Sequence, residues 1–427
     1  AADVKFTLEL ASHPDYPGPL SPNLAVIEGA EAFKDGQATE ISGITVIDDT
    51  QIQIALTEPD AMFLATTAIE QVLPRHILGE VPPADVQQHE FSRQPVYTGP
   101  FMVEAWRAGD GLTFTAFADC FAGRPQLDSI VTRNLPDPAA AVAELRAGAV
   151  QLGVVAPDQF DSFVADEAFQ TQELAGASSW FLRFDLVTTP LFSDPPVRQA
   201  MGHAIDRQAI IDALMLGRAE PSIGLASPLS WIFNPDVPSF EFDVERANAL
   251  MDEAGWTLGD DGVRTKDGER FEFTMNVYAR TQEWALAIQP YLAAIGIVYE
   301  LNVLEFATWI SESEVGRYDG TVGGWINFIV DPRADLQGQF ESPRPVDATG
   351  YDNEEVNQLF EQARLATSRE EEKALYDQIQ RIVAEAAVYV YLWRPRDLLV
   401  ARGDLMVPEV SIQGELYARA PEWQLTS

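Results

Sequence analysis

Cysteine, histidine and long apolar runs are the scarcest features of this chain. Cys120 is the only cysteine, which excludes an intramolecular disulfide and a cysteine-based metal cluster. The four histidines are too dispersed to indicate a zinc site. No apolar run approaches the roughly 18 residues that a membrane-spanning helix needs; the longest candidate, Ile382–Trp393, is short and contains Glu385. We therefore expect no bound metal and no membrane insertion of this chain.

Signatures of catalysis are missing as well. None of the four lysines (Lys5, Lys34, Lys266 and Lys373) precedes a serine or threonine, so there is no phosphate-binding P-loop. The motifs His-Glu-x-x-His, Gly-x-Ser-x-Gly and Cys-x-x-Cys are also absent. The sequence predicts neither an enzyme nor a cofactor. A hydrolase with paired carboxylates stays open, although most of the 66 acidic residues must lie on the solvated surface.

Basic residues are few compared with acidic ones. The chain has 28 lysines and arginines against 66 aspartates and glutamates, a formal net charge of −38. Such a surface repels nucleic-acid phosphates and anionic membranes, so neither is expected as a partner. The scarcity of lysine reflects either a genome rich in G and C or a surface adapted to salt. Both explanations stay open, and neither identifies a ligand.

What the chain does contain is enough apolar sequence for more than one core. It has 427 residues, of which 46% are hydrophobic, and this length indicates two or three domains. Helical and strand-like patterns alternate along it, which favours α/β layers. The predicted helices are Ala1–Ser12, Pro138–Ala147, Asp243–Ala254, Gln282–Ala294, Thr349–Thr367 and Glu370–Ala386. The predicted strands are Glu40–Ile47, Gln51–Leu56, Phe101–Trp106, Leu112–Phe117, Asp128–Leu135, Val150–Val155, Trp180–Asp185, Phe271–Tyr278, Val298–Leu304 and Val388–Trp393.

The segment Phe192–Ile211 is the most informative one. It opens with a turn that contains two prolines, and five apolar residues then recur at helical spacing: Val197, Ala200, Met201, Ala204 and Ile205. By itself this pattern predicts only a buried helix. Arg198 and Asp206 lie at its two ends, and a second helix follows at once.

Read with the rest of the chain, this segment resembles one family, the extracellular solute-binding proteins of family 5, the peptide/nickel class of ABC importers. Each matching block is weak alone, but together and in family order they are specific. The blocks are Ala2–Glu9, Ile27–Ala30, Phe33–Gly36, Ile41–Ile44, Leu73–His76, Thr98–Phe101, Val197–Arg207, Asp243–Trp256, Arg317–Asp319, Gly323–Trp325 and Asp331–Pro332.

The resemblance implies an α/β fold of the periplasmic-binding-protein type II, with two lobes joined by a hinge and three domains. It implies ligand capture in the periplasm or outside the cell, closure of the lobes around the ligand, and delivery to the permease subunits of an ABC importer. An oligopeptide is the expected ligand. An oligosaccharide or another small solute, such as a nickel complex, is the alternative, and a cell-envelope hydrolase or a structural or chaperone-like envelope protein is a lesser one.

The resemblance also indicates that the family's N-terminal segment is missing here, so that the first domain is incomplete. Any lipid anchor would belong to that absent segment. The implied division assigns residues 1–97 to the remainder of domain II and residues 98–183 to the first part of domain I, the main lobe. Residues 184–393 form domain III, the second lobe, and residues 394–427 return to domain I. The incomplete sheet of the main lobe is expected to have an unpaired edge.

The expected ligand contacts begin at the block that follows Tyr318 and Asp319. By resemblance, Trp325 lines the ligand pocket. Peptide binders of this family have an aspartate three residues later that holds the peptide's ammonium group, and here that position is Phe328. Asn327 or Asp331 is the expected substitute, although Asp331 precedes a proline and has a turn-capping role as its alternative. The missing anchor is what leaves room for an oligosaccharide, which stacks on tryptophan and needs no charged partner.

Three further residues, Phe181, Arg183 and Trp231, are expected near the ligand. The strand from Trp180 resembles the one that crosses from the first domain to the third. Alternation places Trp180, Leu182 and Phe184 on one face, and Phe181 and Arg183 on the other. Arg183 is expected to pair with a ligand carboxylate or, equally, to form an interdomain salt bridge. Trp231 either covers the ligand or is an ordinary loop residue.

Overall fold

The structure is a computed structural model. It describes residues 1–17, 22–60, 63–64, 71–135, 137–326, 333–342 and 349–426. The chain divides into two compact units. The first comprises Ala1–Val155, Ser162–Gln172 and Leu399–Ser427, and the second comprises Ala156–Asp161 and Glu173–Leu398. The finer division into three domains, with limits after residues 97, 183 and 393, stays a prediction.

The α-helices are mostly short and lie between strands along the chain. Their bounds are α1 Ala2–Ala11, α2 Ala30–Lys34, α3 Arg75–Leu78, α4 Pro138–Ala147, α5 Pro157–Val164, α6 Pro195–Ala204, α7 Arg207–Met215, α8 Val244–Glu253, α9 Ala279–Ala293, α10 Phe306–Glu314, α11 Arg333–Phe340, α12 Glu354–Leu365, α13 Arg369–Glu385 and α14 Gln413–Ala418.

The strands form several small sheets and one larger one. Their bounds are β1 Ile44–Val46, β2 Ile52–Ile54, β3 Phe101–Arg107, β4 Gly111–Ala116, β5 Ser129–Arg133, β6 Leu152–Val154, β7 Phe169–Leu174, β8 Ser178–Phe184, β9 Ala219–Pro221, β10 Thr257–Leu258, β11 Arg264–Lys266, β12 Glu269–Arg270, β13 Glu272–Val277, β14 Val298–Val303, β15 Gly320–Ile326, β16 Tyr389–Tyr391, β17 Trp393–Pro395, β18 Asp397–Arg402, β19 Leu405–Met406 and β20 Gln424–Leu425.

The first unit is built from short antiparallel pairings. β1 pairs with β2, and β3, β4 and β5 form a three-stranded antiparallel sheet. A small apolar core packs α1 and the β1–β2 hairpin around Leu8, Ile27 and Ile41. Helix α4 ends where Gly148 adopts a φ of 75°, a left-handed conformation that glycine accepts without steric cost. The predicted helix end at this glycine is confirmed.

The second unit contains the largest sheet, in the order β14-β13-β15-β8-β16. β13 runs parallel to β14 and β15, whereas β8 runs antiparallel to both of its neighbours, β15 and β16. β8 is therefore an interior strand that is hydrogen bonded along both edges. It is also largely buried on both faces.

The two faces of β8 belong to two different apolar cores. Trp180, Leu182 and Phe184 are buried in one core with α6, α8 and α9. Phe181 is buried in the other, with α12 and α13. The alternation predicted for this strand is confirmed.

Helix α6 contains the five-residue apolar stripe predicted from the sequence. Its four helical members, and Ile205 just after the helix, have no exposed surface at all. The helix begins at the two prolines, where a missing N–H costs nothing. Asp206 then caps α7, because its Oδ1 accepts a hydrogen bond from the Ala209 backbone N–H at 2.9 Å. The motif is a structural element of the core.

Several predicted elements differ from the structure in their bounds, and two of these differences have a clear physical reason. The helix predicted from Thr349 begins at Glu354, because the side chain of Asn353 accepts hydrogen bonds from the N–H groups of the first turn. The strand predicted over Val388–Trp393 is two strands. β16 belongs to the five-stranded sheet, and β17 pairs with β9 instead.

Buried arginines hold backbone carbonyls in the second unit. Arg198 is 3% exposed; it donates from Nε to the Ala387 carbonyl at 3.0 Å and from Nη2 to the Ala386 carbonyl at 2.6 Å. Nη1 donates to the Phe192 carbonyl. These bonds tie the start of α6 to the end of α13. Burial lowers the pKa of Arg198 to about 10, which still leaves it charged at neutral pH.

Replacing Arg198 by methionine tests this attachment, because methionine keeps much of the apolar stem and removes every donor. Three buried carbonyls then lose their partner, and we expect the free energy of unfolding to fall by about 2–5 kcal/mol. Arg270→Met is the matched control: Arg270 forms solvent-exposed ion pairs in the same unit, and its loss is expected to have no measurable effect. Urea denaturation followed by tryptophan fluorescence measures both. Equal losses of unfolding free energy in the two variants would contradict the structural role assigned to Arg198.

Candidate ligand-binding site

The candidate site lies on the face of the five-stranded sheet opposite its larger core. β8 and β15 pair in register, with Arg183 opposite Thr321, Phe181 opposite Gly323, and Ser179 opposite Trp325. Since side chains alternate along a strand, these residues project from the same face. The face is only partly covered by helices. What remains is a cavity of about 520 Å³ within the second unit.

Three of the residues predicted from the sequence line this cavity together, namely Phe181, Arg183 and Trp325. The other residues that line the cavity come from β15, from α10, from α11 and the segment after it, and from β16. They are Trp309, Ile310, Ser313, Glu314, Gly323, Gly324, Gly338, Gln339, Thr349 and Tyr389. Most of the wall is apolar or aromatic and few of its groups are charged, which is the usual composition of a small-molecule site.

The aromatic wall is held rigidly. The ring of Phe181 stacks on Tyr389, with centroids 4.2 Å apart and an interplanar angle of 6°. The Tyr389 hydroxyl donates to Gln339 Oε1 at 2.6 Å. Trp325 is half-buried near the end of β15 and packs against the same core. Large aromatic surfaces fixed in this way lose little conformational freedom when a ligand stacks on them.

Helix α10 forms a second wall. Glu305 caps it by accepting hydrogen bonds from the N–H groups of Ala307 and Thr308. Trp309 is anchored to the sheet, because its Nε1–H donates to Thr321 Oγ1 at 2.9 Å. The next turn presents Glu314 to the cavity, with the side chain exposed.

Arg183 lies between the sheet and α10. Its Nη2 donates to the Ser313 carbonyl at 3.0 Å, and its guanidinium lies over the ring of Tyr318 at 5.1 Å. Its Nε is buried and has no hydrogen-bond partner among the described residues. The expected pairing of Arg183 with a ligand carboxylate and its alternative, an interdomain salt bridge, stay predictions.

The remaining predicted residues are not among the described residues that line the cavity. Trp231 packs against the second core without lining the cavity. Arg369 lies over its ring at 4.9 Å, and Tyr376 meets it edge to face. A role for Trp231 at the ligand stays a prediction. Asn327 and Asp331, the proposed substitutes for the missing acidic anchor, lie outside the described residues.

Several lining residues escaped the sequence reasoning. Thr349 and Gln339 come from segments that only the folded chain brings to the sheet. For Tyr389, the sequence did contain a signal, namely the alternation in the Tyr-Val-Tyr run of β16. In the structure, Val390 faces the larger core and Tyr389 faces the opposite side of the sheet. An alternation argument of the kind applied to β8 would have placed Tyr389 on the face of Phe181.

Comparisons with known proteins agree with this architecture. Residues 1–345 match the profile of the bacterial extracellular solute-binding proteins, family 5 (middle region). The match covers most of the chain, which therefore belongs to this family. Among the described residues, no helix has the length and apolar character needed to cross a membrane.

Individual relatives are similar over much of the chain. It is 30% identical over 413 residues to the oligopeptide-binding protein AppA of Bacillus subtilis, covering 93% of this chain and 72% of that protein. It is 24% identical over 362 residues to the dipeptide-binding protein of Escherichia coli, covering 81% and 65%. The chain spans 45% of the length of a matching peptide-binding protein from Brucella ovis.

Solved structures show the same fold. The B. subtilis AppA structure in complex with a nonapeptide has a TM-score of 0.85 at 27% identity, covering 100% of this chain and 84% of that one. NikZ from Campylobacter jejuni in complex with Ni(L-His) has a TM-score of 0.83 at 22% identity, covering 99% and 84%. The expected α/β fold of the periplasmic-binding-protein type II is confirmed.

Two glycines of the cavity wall provide a matched test of its packing. A Cβ at Gly323 would lie 3.0 Å from the ring of Phe181, whereas a Cβ at Gly338 would meet nothing within 4 Å. Gly323→Ala therefore crowds the aromatic wall, and we expect it to lower the free energy of unfolding by about 1–3 kcal/mol.

Gly338→Ala is the control. It adds the same methyl group on a helix, where alanine is favoured over glycine by about 1 kcal/mol, so we expect a small gain in stability. Thermal unfolding of both variants compares the two positions. A stable Gly323→Ala protein would show that the wall near Phe181 is looser than the structure indicates.

Proposed function

We propose that this protein captures peptides outside the cytoplasmic membrane and delivers them to the permease subunits of an ABC importer. The observation that carries the proposal is the cavity on the β8–β15 pair, where Phe181, Arg183 and Trp325 lie in one wall. Its volume of about 520 Å³ falls in the range of small-ligand sites. The protein's family, and the names of its peptide-binding relatives, support a solute of this kind.

The chemistry of the wall suits a peptide better than a strongly polar solute. Phe181, Tyr389 and Trp325 offer apolar surface to side chains of many shapes. Peptide groups also bring their own hydrogen-bond donors and acceptors, so that broad specificity needs only main-chain contacts and tolerant pockets. Arg183 then adds a single fixed charge. This combination favours a ligand with a repeating backbone and variable side chains.

An oligosaccharide is the second candidate. The half-buried face of Trp325 is the observation that favours it, because sugar rings stack on tryptophan without needing a charged partner. A nickel complex would have to bring its own ligands to the described part of the site, where no three His, Cys, Asp or Glu residues are grouped to hold a metal ion. A hydrolase of the cell envelope would reveal itself by turnover of peptides or glycans.

The first test is direct. Native mass spectrometry of the purified protein looks for a bound molecule, and thermal unfolding is then followed with synthetic di- to nonapeptides or with linear oligosaccharides. A specific ligand at 100 times its Kd stabilises the folded state by about 2.7 kcal/mol. We expect a Tm that rises with peptide concentration and no cleavage of the peptide. A rise with sugars alone would favour the second candidate.

Trp325→Ala tests the site itself. Removing a large aromatic contact from a ligand pocket commonly costs about 2 kcal/mol or more, so we expect peptide affinity to fall at least tenfold by calorimetry. Trp106→Ala is the control, because Trp106 is an exposed tryptophan on β3 of the first unit and does not line the cavity. The peptide affinity of the Trp106→Ala variant should match that of the parent protein. An unchanged affinity in Trp325→Ala would place the ligand elsewhere.

A further inference from the structure

A second cavity, of about 250 Å³, lies within the second unit. Its walls come from the start of α7, from the segment after β9, from the segment that precedes α8, and from α13 and β16. They include Ile205, Ile223, Phe240, Ala384 and Tyr391. Among the described residues, the two cavities have no lining residue in common, so this one is separate from the candidate ligand-binding site.

Buried and half-buried apolar groups form the floor and sides of this second cavity. Ala384 and Tyr391 are buried, whereas Ile223 and Phe240 are half-buried. The ring of Tyr391 is held in place by its neighbours, because it meets the ring of Phe181 edge to face with centroids 6.1 Å apart. A floor that is already fixed loses little conformational freedom when a molecule packs on it.

Charged groups of both signs belong to the same lining. Arg207 donates from Nε to the Tyr391 carbonyl at 2.6 Å and from Nη1 to the Phe240 carbonyl at 2.9 Å, which fixes its guanidinium. Asp206 and the exposed Glu241 contribute carboxylates. A charged occupant of either sign therefore meets repulsion as well as attraction, and it also loses hydration on entry. An uncharged occupant avoids both costs.

The size of the second cavity limits its occupant to a small molecule. A cavity of about 150 Å³ lined by apolar side chains is enough to bind benzene. The observed volume of about 250 Å³ is larger than that and lies below the roughly 300–1,000 Å³ of sites for drug-sized ligands. It suits a molecule of one or two rings. Aromatic rings gain further from the rings of Phe240 and Tyr391, which favour edge-to-face and offset contacts.

We propose that the second cavity is a binding site for a small uncharged aromatic molecule, which packs on Ile205, Ala384 and Tyr391 between the charged groups of the lining. The site is additional to the peptide site on β8 and β15. It does not depend on the proposed function, because none of the observations that carry it concerns the first cavity's ligand.

Three compounds that share one ring system test the ligand class. At neutral pH indole is uncharged, indole-3-carboxylate is an anion and tryptamine is a cation. Ligand-observed NMR titrations on the full chain measure the Kd of each compound. We expect a Kd of about 0.1–1 mM for indole, as for a small ligand of average efficiency, and about fivefold weaker binding of both charged compounds. No binding of indole, or a charged compound that binds as tightly as indole, would overturn the proposal.

Substitutions identify which cavity holds the indole. Ala384→Leu extends a larger side chain into the second cavity from α13, where leucine is well tolerated, and we expect it to weaken indole binding about tenfold or more. Ile223→Ala, at a half-buried position, removes apolar contact without adding bulk to the core and should weaken binding about threefold. Thermal unfolding confirms that both variants are folded.

Trp325→Ala examines the first cavity in the same titration. Trp325 does not line the second cavity, so the Kd of indole should stay unchanged in this variant. Indole binding that is lost in Trp325→Ala and kept in Ala384→Leu would assign the compound to the first cavity and overturn the proposal. Because no peptide is used, this result is independent of whether the protein captures peptides.

Discussion

Strand β8 is the constraint on which the second unit depends. It is hydrogen bonded to β15 on one edge and β16 on the other, and each of its faces belongs to a different core. A shift of one residue in its pairing would move Trp180, Leu182 and Phe184 to the cavity face and bury Arg183 in the larger core. The free-energy cost of burying that charge, added to the loss of apolar packing, fixes the register. The position of the cavity wall follows from the same register.

The arginines of this unit show how a chain with a net charge of −38 uses its few cations. Arg198 and Arg394 are buried and donate to backbone carbonyls. Arg207 does the same, donating to the Tyr391 carbonyl at 2.6 Å and the Phe240 carbonyl at 2.9 Å. A carbonyl group satisfies a guanidinium without bringing a second charge into the core. Arg264, which is also buried, combines the two kinds of partner, because it donates to the Ile295 carbonyl at 2.8 Å and to the Asp252 carboxylate at 2.6 Å.

Local pattern was sufficient for individual elements and for two residues of the candidate site, whereas the fold type came from the family resemblance. The period-2 alternation of β8 placed Phe181 and Arg183 on one face, and the stripe of α6 gave the core helix, because both signals lie within one element. The loop position of Trp231 had no such signal, and its packing against Arg369 and Tyr376 depends on α13, more than 130 residues away. Thr349 and Gln339 line the cavity for the same reason. Long-range packing decided these positions, and a local sequence window does not contain it.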